Sequence, residues 1–198
     1  MGLSHPVTSR VQERYGDTRC HIATSSMCGF RRSMEDAHSV VMRLPNHPNA
    51  TFVGVFDGHG GKLAARFCAE HLAQRVDQLD KFTDENLKRV VMELDAEFCR
   101  PENAEREHGT TCVFVIIEFN DEEGAPNASN GGDSRTPIEV IVCNTGDSRI
   151  LWGGPDGSAG LTEDHKPTLD EERQRIENAG GHVAGARVVS YPMFGLIL

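Results

Sequence analysis

The chain has 198 residues, enough for one domain with a sizeable core. Its 38% hydrophobic and 25% charged content marks a soluble globular protein, and a net charge of −10 argues against nucleic acid or an acidic membrane as the main partner. No apolar run is long enough to span a bilayer, and no secretory signal peptide is visible.

Residues 1–19 are polar and mixed. They are expected to form a loose N-terminal arm with an edge strand near its end, ahead of a single domain over 20–198. Met1-Gly2 opens an N-myristoylation signal weakened by Pro6, which stands where Ser or Thr is preferred. Residues 21–27 read as a strand, and Ser25, Ser26 and Gly29 mark a turn. A charged stretch over 31–38 precedes a second strand at 39–44. The loop 45–50 leads straight into the apolar run 52–56, so these two strands are expected to pair antiparallel. From Lys62, apolar residues at Leu63, Phe67, Leu72, Val76 and Leu79 trace one face of a helix. Thr83 is placed to cap a second helix, whose apolar face is Leu87, Val90, Val91, Leu94 and Phe98, with Pro101 beyond its end. His71 and His108 read as ordinary exposed histidines.

Gly109-Thr110-Thr111 opens the strongest strand signal, 112–119. Residues 120–137 hold almost nothing apolar and predict a long flexible loop. A strand at 138–143, an extended piece at 150–152 and a turn at 153–157 follow. Thr168 and Glu171 have capping-box spacing for a helix that Gly180-Gly181 stops. Residues 182–190 read as a further strand, and 191–198 as an apolar tail with no assigned partner. There are no internal repeats. Helices fall between blocks of strands, which favours an α+β fold with antiparallel sheets. The six cysteines, at 20, 28, 68, 99, 112 and 143, form no Cys-x-x-Cys pair, so a zinc or redox motif is not expected. Cys68, Cys112 and Cys143 lie in apolar patterns and are expected as buried free thiols, which points to a reducing compartment, cytoplasm or nucleus.

The chemistry-bearing stretch is Phe52-Val53-Gly54-Val55-Phe56-Asp57-Gly58-His59-Gly60-Gly61. A buried strand ends at Asp57, and glycines leave room beside the carboxylate. Asp-Gly after a strand is commonly only a turn. A carboxylate, a backbone carbonyl and an imidazole at one strand tip also suit a hard cation and proton transfer. A Walker-type phosphate loop does not fit, because Lys62 is followed by Leu63. Upstream, Arg31, Glu35 and Asp36 crowd together before a strand. They form either a solvated turn or carboxylates serving the cation of Asp57, with Arg31 facing a phosphate. Asp147 repeats the theme after Gly146, at the end of another apolar strand.

Together these stretches resemble a known family. Arg31-Arg32-Ser33-Met34-Glu35-Asp36-Ala37-His38, Phe56-Asp57-Gly58-His59-Gly60-Gly61, Gly109-Thr110-Thr111, Asn144-Thr145-Gly146-Asp147-Ser148-Arg149, Thr162-Glu163-Asp164-His165-Lys166-Pro167 and Glu177-Asn178-Ala179-Gly180-Gly181 are similar, in order, to motifs of the metal-dependent protein phosphatases of the PP2C (PPM) type. The resemblance implies a β-sandwich of two antiparallel sheets flanked by helices. It also implies hydrolysis of phosphoserine and phosphothreonine in phosphoprotein substrates, with two Mg2+ or Mn2+ ions and a weaker third. By the matching positions, Asp57 would bridge two metals and the Gly58 carbonyl would bind one. Glu35 and Asp36 would hold waters of the metal shell, Arg31 would clamp the phosphate, and His59 would protonate the leaving oxygen. Asp147 would lie near the third metal.

The family's Ser-Arg-x-x-Gly-Asp motif is replaced here by Val189-Ser190-Tyr191-Pro192-Met193, and its later Asp-Gly and Asp-Asn metal ligands have no counterpart. The C-terminal strands of the sandwich are therefore expected to be missing. The alternative to an active phosphatase is a catalytically silent PP2C-like module that binds phosphoproteins or a partner.

Overall fold

A computed structural model describes residues 2–100, 108–120, 137–185 and 187–189. The chain begins with a hairpin of β1 (Val7–Gly16) and β2 (His21–Gly29). Strands β3 (Ala37–Val41) and β4 (Ala50–Phe56) follow, and then the two-residue β5 (Gly58–His59). Helices α1 (Leu63–Asp77) and α2 (Asp84–Phe98) come next. The short β6 (Gly109–Thr110) pairs with β5 and runs into β7 (Cys112–Phe119) and β8 (Ile138–Thr145). A hairpin of β9 (Leu151–Gly154) and β10 (Gly157–Gly160), helix α3 (Asp170–Asn178), and a hairpin of β11 (His182–Ala184) and β12 (Arg187–Val189) complete the described chain.

The main sheet is antiparallel in the order β3-β4-β7-β8. Its side-chain alternation divides it into two faces. Phe52, Phe56, Phe114 and Ile116 point to one face and meet Ala65, Cys68, Leu72 and Val76 of α1 and Leu87, Val90 and Leu94 of α2. Phe52 and Phe114 stack with centroids 5.3 Å apart. Each large apolar side chain fully buried here contributes about 1.5–3 kcal/mol relative to exposure. The helices form because their apolar stripes have this face to cover. The Thr83 hydroxyl accepts from the Asn86 amide at 3.3 Å and starts α2 as its sequence predicts.

The other face carries His38 and Val40 of β3, Val53 of β4 and Val115 of β7, all half-buried. The β1–β2 hairpin is tied to the main sheet from this side. Glu13 bonds His38 Nε2 at 2.7 Å, and Arg19 donates to the Met42 and Pro48 carbonyls and lies 4.8 Å over the Phe119 ring. The two layers and their helices match the expected α+β architecture of antiparallel sheets.

Local differences have local reasons. The edge strand expected near the end of the N-terminal arm extends to ten residues, held by pairing with β2 rather than by burial. Strand β3 begins at Ala37 instead of 39, because its ladder with β4 extends to the Ala37–Phe56 rung. Gly153 and Gly154 belong to β9, so the turn narrows to Pro155 and Asp156. Thr168 does not cap α3. The Leu169 amide turns back to the Lys166 carbonyl at 2.9 Å, and the helix starts from Leu169 without a side-chain cap. His71 is half-buried, with its ring centroid 4.5 Å from that of Phe67. Cys68 and Cys112 are buried free thiols, and Cys143 is half-buried. Burial pushes the Cys68 thiol up to about 12 and that of Cys143 to about 11. The predicted loop over 120–137 lies, for 121–136, outside the described residues, as do Pro101 and the apolar tail 191–198.

Candidate active site

The β3–β4 ladder explains why two acidic residues meet. Ala37 stands opposite Phe56, so the next rung outward places Asp36 opposite Asp57. The two carboxyls lie close enough for the charge on one to act on the ionisation of the other. Partial desolvation, the neighbouring Asp57 carboxylate and the nearby Glu35 raise the Asp36 pKa, and the Arg31 guanidinium opposes them. Four residues that the sequence singles out, Arg31, Glu35, Asp36 and Asp57, are thus gathered at the edge of one sheet.

Asp57 is held by its backbone. Its amide donates to Thr111 Oγ1 at 3.1 Å, and its carbonyl accepts from the Thr111 amide at 2.9 Å. Thr111 Oγ1 lies 2.7 Å from Ser148 Oγ. One threonine therefore joins the end of β4, the start of β7 and the loop after β8. That lock was not assigned from the sequence, although the Thr110-Thr111 doublet before a strong strand was its signal.

Gly58 is buried where a Cβ would sit 2.4 Å from the Glu35 carbonyl oxygen. Only glycine lets the Glu35-Asp36 backbone come this close to the tip of β4. The Glu35 carboxylate accepts from Ser33 Oγ at 2.7 Å. His59 is exposed, opposite Gly109, and a Cβ on Gly109 would lie 2.3 Å from His59 Nε2, so its imidazole rests on that glycine. His108, read from the sequence as an ordinary exposed residue, is half-buried. Its Nδ1 accepts from the Leu63 amide at 3.3 Å, which satisfies one open donor at the start of α1. The capped helix is remote in sequence from its cap, so local pattern could not reveal it.

Asp147 is exposed on the loop after β8 and raises the Arg149 pKa, after the larger effects of Asp164. The link from this loop to Asp57 runs through Ser148. The Thr162–Pro167 motif serves as a clasp for the same loop. The His165 amide bonds the Gly146 carbonyl at 2.9 Å, Asn144 Nδ2 bonds the Glu163 carbonyl at 2.8 Å, and Arg149 binds Asp164 through two nitrogens. Asp164 is lowered by the hydrogen bonds from Arg149 and Lys166.

Among the described residues, no group of three or more His, Cys, Asp or Glu side chains is gathered closely enough to hold a metal ion. The Asp36–Asp57 pair nevertheless suits Mg2+ or Mn2+. Magnesium is typically held by one or two carboxylates and keeps several waters. Two mutually repelling carboxylates at an exposed strand tip are the kind of donor set a hard cation relieves. An open cleft of about 290 Å³ lies at the other end of β7, lined by residues such as His47, Phe82, Glu118 and Glu139, and holds none of the predicted site residues.

A carboxylate pair beside an arginine thus stands at the edge of an antiparallel sheet flanked by helices. The family model for Protein phosphatase 2C matches residues 20–191, and the chain belongs to that family. A probable protein phosphatase 2C of Caenorhabditis elegans is 33% identical over 94% of this chain and 49% of its own length. Protein phosphatase 2C homolog 2 of Schizosaccharomyces pombe is also 33% identical, over 94% of this chain and 48% of its own length. The crystal structure of a phosphatase from Toxoplasma gondii superposes with a TM-score of 0.64 at 26% identity, covering 94% of this chain and 62% of that one. The chain thus spans about half the length of these curated relatives.

Proposed function

We propose that this chain carries the phosphate-hydrolysing centre of a metal-dependent protein serine/threonine phosphatase. The observation that carries the reading is the Asp36–Asp57 carboxylate pair beside Arg31 on a rigid strand edge. Family membership supports it, and the family is metal-dependent. In this reading Asp57, the Gly58 carbonyl, Glu35 and Asp36 hold Mg2+ or Mn2+ and its waters, and Asp147 serves a weaker third position. When bound, the cations neutralise phosphate charge and acidify water. Arg31 binds the phosphate oxygens through its planar fork and orients the ester. His59, exposed at the strand tip, delivers a proton to the leaving seryl or threonyl oxygen. No cysteine nucleophile is needed. The substrates are phosphoproteins, and cytoplasm or nucleus is the compartment consistent with six free cysteines.

The test is Mn2+-dependent phosphate release from a phosphothreonine peptide, by this chain and by Asp57→Asn. Loss of at least about 100-fold in the variant is expected, since removing a charged group that stabilises the transition state costs that much. Equal rates would overturn the assignment. A second reading, a silent module that binds phosphoproteins, is favoured by one observation: fewer than three metal-binding side chains gather among the described residues. It predicts phosphopeptide binding without Mn2+-dependent release.

A further inference from the structure

The N-terminal hairpin has a charged face that none of the chemistry above uses. From the Arg10–Met27 pair onward, its register sets Arg10, Gln12 and Arg14 on one face with Met27, Ser25, Ala23 and His21. Every one of these residues is exposed, and none is acidic. The acid of this stretch, Glu13, points to the other face and is taken up by His38. The segregation extends to the local sequence. Residues 2–43 hold six arginines against four carboxylates, in a chain whose net charge is −10.

Other arginines are satisfied within the fold. Arg19 and Arg43 share Asp17, Arg75 pairs with Glu97, Arg149 with Asp164 and Arg175 with Glu172. Among the described residues, Arg10, Arg14 and Arg32 make no ion pair and no side-chain hydrogen bond. Their location is also directed. Strand β2 leaves the hairpin at Gly29 and turns, with the Arg31 amide on the Cys28 carbonyl at 3.3 Å, into the stretch that carries Arg31, Glu35 and Asp36. Arg10 faces Met27, four residues before Arg31. Arg14 stands about 13 Å further along the same face, at ~3.3 Å per strand residue. An extended peptide covers that interval with about four residues.

We propose that the outward face of the β1–β2 hairpin is a docking ridge for acidic residues flanking the phosphorylated side chain of the substrate. The proposal rests on the phosphatase reading for which end of the ridge meets the phosphate. Arg31 and Arg32 receive that end, and Arg10 and Arg14 receive carboxylates several positions away. The acidic remainder of the protein repels such a peptide elsewhere and steers it to this basic strip. An anionic membrane would also favour arginines, and Leu3, Val7 and Phe30 are exposed nearby. The peptide is favoured because the ridge is continuous with the phosphate-facing Arg31.

The experiment measures binding of fluorescent phosphothreonine peptides to the full chain by anisotropy, with Asp/Glu flanks or Ser/Gly flanks. The chain is compared with Arg10→Ala/Arg14→Ala and with Arg10→Lys/Arg14→Lys. The expected result is about five-fold tighter binding of the acidic peptide, summed from exposed ion pairs and weakened by salt. The alanine pair should abolish the discrimination and the lysine pair should keep it. Equal affinity for both peptides, or discrimination that survives in the alanine pair, overturns the proposal. So does phosphatidylserine-vesicle binding that the alanine pair loses while peptide discrimination stays intact. Hydrolysis of p-nitrophenyl phosphate, which has no flanks, is measured in parallel. Its failure counts against the phosphatase reading alone, and the alanine pair should leave it unchanged.

Discussion

Gly58→Ala is the smallest change that should move the site. A Cβ at this position would lie 2.4 Å from the Glu35 carbonyl oxygen, 3.1 Å from its carbon and 3.1 Å from the Gly61 carbonyl oxygen. All three are backbone atoms, so no side chain can swing aside. Restoring an ordinary carbon–oxygen contact needs roughly 1 Å of separation between the β4 tip and the segment bearing Glu35 and Asp36. Forcing an extra carbon into such a packed position costs about 2 kcal/mol. For a chain of this size that lowers Tm by about 6 °C. The same displacement disturbs the Asp36–Asp57 approach, so Mn2+ affinity should fall about ten-fold or more, as when supporting groups around a metal are lost. Gly153→Ala is the control, because nothing lies within 4 Å of a Cβ built there. Thermal melts and Mn2+ titration by calorimetry read both quantities. If the two variants melt together and bind Mn2+ alike, the close approach at Gly58 does not shape the site.

Two further outcomes follow from local chemistry. Thr83→Ala should cost about 1 kcal/mol in urea denaturation through the lost α2 cap, while Thr168→Ala, whose side chain caps nothing, should cost far less. Asp17 is lowered to about 2, first by the Arg19 amide and then by the Cys20 amide and the Arg19 side chain. A folded pKa below the unfolded value of 3.8 means that this contribution is present above about pH 4 and fades as pH falls toward 2. Asp17→Asn should therefore flatten the acid limb of stability against pH in that window. An unchanged slope would show that the carboxylate is not held as described.

Legibility in the sequence tracked how locally each feature is determined. Strand β7 is legible because six consecutive apolar residues from Cys112 to Ile117, with Phe119 beyond Glu118, lie between Thr111 and Asn120. Helix α2 was readable from its stripe and its cap, which lie within one another's reach along the chain. Asp57 stood out because its strand ends abruptly. The expected edge strand near the end of the arm starts as early as Val7; β1 is exposed along nearly its whole length and carries no alternation of apolar residues, so only its partner reveals its extent. The capping role of His108 and the Thr111–Ser148 contact join residues far apart in sequence, and no window of local pattern contains them. Thr168 had the right spacing for a cap, but the turn closed by Leu169 and Lys166 already occupies the backbone there.

The opposed rung that brings Asp36 to Asp57 is also a local contact. Only the 20 residues 37–56 separate the two carboxylates, and they form a single hairpin. Closing so short a loop costs little chain entropy, and contacts of this kind form early. The Thr111–Ser148 brace needs strands that are separated by the helices and by the segment between β7 and β8. The acidic pair therefore depends on local pairing alone, whereas the brace that immobilises it depends on strands far along the chain. A cation held by that pair would favour the correct β3–β4 register, because a slip of one residue would part the two carboxylates and turn Phe52 and Phe56 out of the core.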